Sequence, residues 1–180
     1  MTFEELIAHP TKGGEEAIAL AKIIYNYSQD CLMAHSIRAF QQHILEKYHA
    51  HYDIVILKRK GLFTITGKKS TLNFFSTGVF VLVDADEPHD QQRACIAHEI
   101  YHLILAAKYI SGNDDDQHKL MKKLPSCREV EDICDVFAND LCTLHHKFYE
   151  SDEAVKKGIF HNLPIYSLPK TSPKSYQVPL

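Results

Sequence analysis

The stretch from Ala94 to Leu105 constrains this chain most strongly, because its apolar helical pattern is interrupted by the polar residues His98, Glu99 and His102. A spacing of four residues puts the two histidines on the same face of a helix, with Cβ atoms about 5–6 Å apart. Polar side chains buried without partners are costly. The pattern therefore predicts a helix whose polar side chains face a cleft or a ligand.

Two histidines and a glutamate at this spacing are typical of a zinc site. Neutral imidazole nitrogens bind zinc at about 2.0–2.1 Å, and Glu99 can reach a water at the metal without being a ligand. The competing interpretation is two surface histidines, since the twelve histidines of the chain make a chance match less rare. The apolar flanks favour a metal, so we predict His98 and His102 as Zn2+ ligands and Glu99 as the catalytic base.

A third ligand must come from elsewhere in the chain, because a catalytic zinc usually has three protein ligands and an open position. The acidic candidates in the next amphipathic stretch are Glu129, Glu131, Asp132 and Asp135. Glu131 and Asp135 lie four positions apart and share a helical face. Glu131 can then serve as the ligand while Asp135 accepts a hydrogen bond from a zinc-binding histidine. An ordinary solvated acidic patch is the alternative.

Periodicity in the rest of the chain predicts an α+β domain. Apolar residues at helical spacing predict helices over residues 15–28, 34–48, 91–109 and about 126–150. Runs of β-branched and aromatic residues predict strands over residues 54–57, 62–66 and 78–83, which we assign to a small, mainly antiparallel sheet. Four prolines predict an extended tail over residues 163–180, after a single domain of residues 1–162.

The amino-acid composition of the chain limits the kinds of molecule that it is expected to bind and the compartment in which it is expected to lie. The 20 basic and 23 acidic residues are interspersed, so we expect no direct nucleic-acid binding. No run of about 18 apolar residues occurs, so we expect no membrane span. The five cysteines include no Cys-x-x-Cys pair, and the first residues do not resemble a secretory leader. We therefore expect a cytoplasmic protein with reduced thiols.

Three stretches of the chain resemble the ImmA/IrrE-type zinc metallopeptidases. They are the strand Gly78–Val83, the helix Gln92–Leu105 with its Ala-His-Glu-x-x-His pattern, and the segment Glu131–Ala138. The resemblance implies a zincin-like fold with N-terminal helices, an active-site helix and a later glutamate-bearing helix. It also implies His98 and His102 as zinc ligands, Glu99 as the catalytic glutamate and Glu131 as the third ligand.

The same resemblance implies a bacterial or phage setting, in which a zinc endopeptidase cleaves a helix-turn-helix repressor. The alternative is a regulatory binding protein that docks such a partner without turnover. In the peptidase, the strand Val79–Val83 is expected to align an extended substrate by edge pairing, and the tail is expected to modulate access.

Two departures from the family pattern lie near the predicted site. Tyr101 stands where relatives usually have Gly, and Cys134 where they usually have Ala. We expect both to narrow the cleft. A purely structural zinc is a third interpretation, which a fourth strong ligand beside His98, His102 and Glu131 would favour.

Overall fold

The computed structural model describes residues 2–27, 40–43, 46–47, 53–75, 78–110 and 127–149. Residues 40–43 and 46–47 are helical, and the rest of the predicted helix 34–48 lies outside the described residues. The proline-rich tail 163–180 and the domain boundary at residue 162 also lie outside them. Within the described residues, no helix is long and apolar enough to cross a membrane.

Four helices carry most of the described structure: α1 (Phe3–Ala8), α2 (Pro10–Tyr27), α4 (His89–Ile110) and α5 (Arg128–Tyr149). Helix α2 begins five residues before its predicted start, because proline is well suited to the first helical position. Gly13 lies inside α2, where an added Cβ would come within 2.6 Å of side-chain atoms of Leu6 and Ile133. Glycine therefore permits the close approach of α2 to α1 and α5.

The sheet has three strands: β1 (Ile54–Arg59), β2 (Ser70–Phe75) and β3 (Gly78–Asp84). Their order is β1-β3-β2, with β1 parallel and β2 antiparallel to β3. The prediction of a mainly antiparallel sheet is therefore wrong, because half of its pairing is parallel. Strand β2 was missed, since its sequence Ser-Thr-Leu-Asn-Phe-Phe lacks a clear apolar alternation.

The predicted strand over residues 62–66 is a short helix, α3 (Leu62–Thr66). Gly61 and Gly67 flank it with φ angles of 68° and 70°, a left-handed conformation that suits glycine. The carboxylate of Asp84 accepts the Phe63 N–H at 2.7 Å, which satisfies a donor in the first helical turn. This cap comes from 21 residues away, so local periodicity could not predict it.

The core lies around α4, which packs against β2 and β3 on one side and against α5 on the other. Helix α2 covers another face of α5. Central strand β3 is buried through Val79, Val81 and Val83, which are fully inaccessible to solvent. The described part of the chain is thus an α+β fold with a small mixed sheet and mostly helices, in which α4 and α5 run side by side.

Candidate metal centre

Helix α4 brings His98 and His102 together at the surface that faces α5. Their Nε2 atoms lie 3.0 Å apart and their ring centroids 4.8 Å apart, as expected for residues one turn apart on one helical face. Burial lowers the pKa of His102, so its imidazole is neutral at pH 7 and keeps a lone pair for a ligand. Each side chain is 17% exposed, which leaves access from a cleft.

Helix α5 supplies Glu131 to the same point. One oxygen of its carboxylate, Oε2, lies 3.1 Å from Nε2 of His98 and 3.5 Å from Nε2 of His102. The other acidic candidates lie apart from this point. Asp132 is exposed and pairs with Arg128 at 3.8 Å, and Glu129 contacts Cys127 at the start of the helix. Among the described carboxylates of α5, Glu131 is therefore the one positioned as a ligand.

Asp135, one helical turn after Glu131, contacts the far side of the His98 ring. Its Oδ1 atom lies 2.8 Å from Nδ1 of His98. In the tautomer that donates the Nδ1 proton to this carboxylate, Nε2 keeps its lone pair towards Glu131 and His102. Asp135 thus orients His98 in the way that carboxylates orient metal-binding histidines.

Glu99 lies on the cleft wall beside the histidines and is 8% exposed. Burial raises the pKa of its carboxyl group, and a hydrogen bond from Ser70 acts in the opposite direction. The Ser70 hydroxyl donates to Oε1 of Glu99 at 2.7 Å, which links α4 to the start of β2. Ser70 was absent from the sequence-based site, because no local pattern connects residues 29 positions apart.

Cys134 is a second residue that the sequence-based site lacked. Its Sγ atom and ligand nitrogens of His98 and His102 all lie within 4.8 Å of one another. Burial, followed by the nearby carboxylates of Glu131 and Glu99, raises the pKa of this thiol well above its usual value. A spacing of three residues from Glu131 on one helix was the signal that could have found it.

A cavity of about 620 Å³ opens onto these groups. One wall comes from the start of β2, and the opposite wall comes from α5. The lining residues outside the polar cluster include Lys68, Thr71, Leu72, Ala94, Val130 and Ala138. The space is large enough for a short extended peptide segment and carries both apolar and polar walls.

Two expectations about the cleft are wrong. Tyr101 does not line the cavity: it is 4% exposed and stacks on Phe137 of α5, with ring centroids 4.5 Å apart. Cys134 is fully buried, so it lies behind the cavity wall and does not narrow the opening. Both side chains point from their helices into the contact between α4 and α5.

The expectation that Val79–Val83 pairs with a substrate is also wrong. This segment belongs to β3, which is the central strand and already pairs with β1 and β2. The strand edge that reaches the cavity belongs to β2. The Asp84 N–H donates to the Lys69 carbonyl at 2.9 Å, so these two residues form a hydrogen-bonded pair. Hydrogen-bonded and non-hydrogen-bonded pairs alternate along an antiparallel ladder, so the N–H and C=O groups of Ser70 and Leu72 point away from β3.

Another cysteine lies at the cavity and another histidine lies in the core. Cys95 lines the cavity, where Gln91 Nε2 lies 4.0 Å from its Sγ. Burial lowers the pKa of His145 to about 4, so this histidine is a neutral core residue against Tyr25. His118 lies outside the described residues.

The donor set at the α4–α5 contact fits a zinc ion. Ligand atoms at about 2.0–2.1 Å in tetrahedral geometry lie about 3.3 Å from one another. The three separations among the His98, His102 and Glu131 atoms are 3.0, 3.1 and 3.5 Å. Such separations suit a hydrogen bond when a ring nitrogen carries a proton, and they also suit three lone pairs directed at one cation. Comparisons of the chain with family models, curated proteins and solved structures give no match.

Proposed function

We propose that this protein is a zinc-dependent endopeptidase of the ImmA/IrrE type with a zincin-like fold. The observation that carries the proposal is the convergence of His98, His102 and Glu131 within 3.5 Å, beside a buried glutamate that is free to act as a base. Three protein ligands and a cleft on the remaining side are the arrangement of catalytic rather than structural zinc.

His98, His102 and Glu131 would hold the ion, with Asp135 fixing the orientation of His98. When bound, zinc polarises a substrate carbonyl and activates water for attack. The remaining roles in catalysis are carried out by residues of the protein itself.

Glu99 is the proposed general base. Ser70 occupies Oε1, so Oε2 is the oxygen left to accept a proton from the attacking water. Burial raises the pKa of Glu99 and therefore makes the carboxylate a better proton acceptor. The protonated carboxyl group then donates the same proton to the nitrogen of the leaving amine, which completes hydrolysis of the peptide bond and regenerates the carboxylate.

Strand β2 is the proposed guide for the substrate. Its edge away from β3 carries the outward backbone groups of Ser70 and Leu72, and the same strand holds Glu99 through Ser70. An extended peptide that pairs with this edge gains main-chain hydrogen bonds, while cavity residues contact alternate side chains. The scissile bond would then lie close to the base.

The proposed substrate is a helix-turn-helix repressor or a similar regulatory protein, in a bacterial or phage cytoplasm. This part of the proposal rests on the resemblance of the segments around His98 and Glu131 to ImmA/IrrE-type peptidases. We propose no direct contact with nucleic acid or membrane, because the acidic and basic residues are interspersed along the chain.

The test incubates the zinc-loaded protein with a helix-turn-helix repressor, chosen first from neighbouring genes, and identifies fragments by mass spectrometry. Wild type is expected to cleave many repressor molecules per chain. Glu99→Gln is expected to retain zinc and lose cleavage by roughly 100-fold or more, because the base is removed while the ligands remain. Glu129→Gln, on the same helix as Glu131, is the control that should cleave like wild type.

Two results would contradict the proposal. Cleavage by Glu99→Gln at the wild-type rate would remove Glu99 from the mechanism. Stoichiometric binding of the repressor without any fragments, by zinc-loaded wild type, would instead support the regulatory binding protein.

A further inference from the structure

Cys134 approaches the two zinc-binding histidines from the interior of the protein. Its side chain is fully buried, whereas the Glu131 side chain on the same helix is 41% exposed. The sulfur therefore faces the core, whereas the carboxylate faces the cleft.

The distances from the Cys134 sulfur to the histidine nitrogens are compatible with a sulfur ligand of the same metal ion. Sγ of Cys134 and the histidine nitrogens lie within 4.8 Å of one another. In a tetrahedral site with zinc–sulfur at about 2.3 Å and zinc–nitrogen at about 2.0–2.1 Å, sulfur and nitrogen lie about 3.6 Å apart. A movement of about 1 Å, within the range of a side-chain adjustment, brings the sulfur to that separation.

We propose that Cys134 is an interior ligand of the ion held by His98 and His102. Binding breaks the S–H bond and forms a metal–sulfur bond, and the proton leaves to solvent, so no electron is transferred. With Glu131 on the cleft side, Cys134 makes a fourth protein ligand, which is the number typical of structural zinc. Hydrolysis at such a centre requires a fifth position for water on the cleft side. This inference rests on the proposed metal centre, but it does not require that the protein hydrolyses peptides.

A thiolate ligand also defines the class of ion. Soft sulfur ligands favour Zn2+ and thiophilic ions over Mg2+ and Mn2+, which prefer oxygen. With sulfur, two imidazoles and one carboxylate, this centre is expected to prefer Zn2+, Co2+ and Cd2+. Because Mg2+ prefers oxygen ligands, we do not expect it to bind at this centre.

The test uses the full chain loaded with Co2+, which reports a thiolate ligand through a sulfur-to-cobalt charge-transfer band in the near ultraviolet. Wild type is expected to show this band, and Cys134→Ser is expected to lose it while still binding cobalt through the histidines. Cys95→Ser is the matched control, because Cys95 is also buried and lines the adjacent cavity. It should keep the band at wild-type intensity.

A second measurement covers the case in which Cys134→Ser does not fold. In wild type under mild denaturant, bound Zn2+ should slow alkylation of Cys134 more than that of Cys95, as located by peptide mass spectrometry. Zinc stabilises the whole fold and so shields both buried cysteines, but it bonds directly to only one of them. Equal alkylation of Cys134 with and without zinc would overturn the inference.

The outcomes separate this inference from the proposed function. Cobalt bound by wild type without the charge-transfer band overturns the role of Cys134 and leaves the peptidase proposal intact. A band that persists in Glu99→Gln, together with no cleavage by zinc-loaded wild type, supports the sulfur ligand and contradicts the peptidase. Failure of wild type to bind cobalt overturns the inference together with the metal centre.

Discussion

At the scale of single residues, the site depends on which atoms face one another. Nε2 of His98, Nε2 of His102 and Oε2 of Glu131 converge, while Nδ1 of His98 faces Asp135. The sequence indicated the histidines and narrowed the carboxylates to four. It could not identify Ser70, because this residue reaches Glu99 from another element. Cys134 was missed although its spacing of three residues from Glu131 places both on one side of α5.

Removing the carboxylate of Asp135 is expected to weaken zinc binding. Asp135→Ala should raise the dissociation constant for zinc by roughly 10–100-fold, because His98 loses the partner that fixes its ring and tautomer. The measurement is competition with a chromophoric chelator. Asp132→Ala is the control, since Asp132 is exposed and contacts Arg128. Equal affinities for the two variants would show that Asp135 does not orient the ligand.

Removing the hydroxyl of Ser70 is expected to slow cleavage without affecting the metal. Ser70→Ala should lower kcat by roughly tenfold, because Glu99 loses the hydrogen bond that positions its carboxylate and keeps it in the ionised form able to accept a proton. Ser70→Thr retains a hydroxyl and should recover most of the rate. The measurements are repressor cleavage and zinc affinity. A loss of zinc binding in Ser70→Ala would mean that the serine supports the fold of the site instead of the base.

At the scale of elements, the helices could be predicted better than the sheet. Helix α4 carries a long periodic pattern and was predicted to within two residues at its start and one at its end. Helix α3 was predicted as a strand, because its conformation depends on Asp84 and on two glycines at its ends. The parallel pairing of β1 with β3 likewise depends on contacts between distant segments.

Asp84 offers a test of this long-range cap. Its carboxylate accepts N–H groups of Phe63 and Asp86 at 2.7 and 3.0 Å, and these hydrogen bonds lower its pKa. Asp84→Ala is expected to lower the urea midpoint and to accelerate amide exchange at Phe63. Asp86→Ala should have a smaller effect, because the Asp86 carboxylate is exposed and accepts the N–H of Gly61, which precedes the helix. Unchanged exchange at Phe63 in Asp84→Ala would contradict the cap.

At the scale of the whole molecule, His145 makes the stability of the α2–α5 contact depend on pH. Burial lowers its pKa from 6.5 to about 4, and its ring lies 5.8 Å from that of Tyr25. The unfolded chain therefore binds a proton between these pH values when the folded chain does not. The contribution of neutral His145 to stability is complete above pH 6.5 and is lost as the pH falls towards 4.

From pH 7 to pH 5 this one group is expected to lower the free energy of unfolding by about 2 kcal/mol. Urea unfolding at both pH values measures the change. His145→Phe keeps an aromatic ring beside Tyr25 and should reduce the difference between the two pH values. His146→Gln, at the exposed neighbouring position, should preserve it. The same pH dependence in wild type and His145→Phe would show that other groups control acid stability.

The most direct test of the account is a zinc titration of metal-free protein, followed by the rate of repressor cleavage. The cleavage rate should rise from zero and level off at one zinc per chain, because one group of candidate ligands converges between α4 and α5 in the described residues. Glu131→Ala should require far more zinc to reach any cleavage. Cleavage at the full rate in the presence of a chelator, or no cleavage at any zinc concentration, would contradict the proposed metal-dependent peptidase.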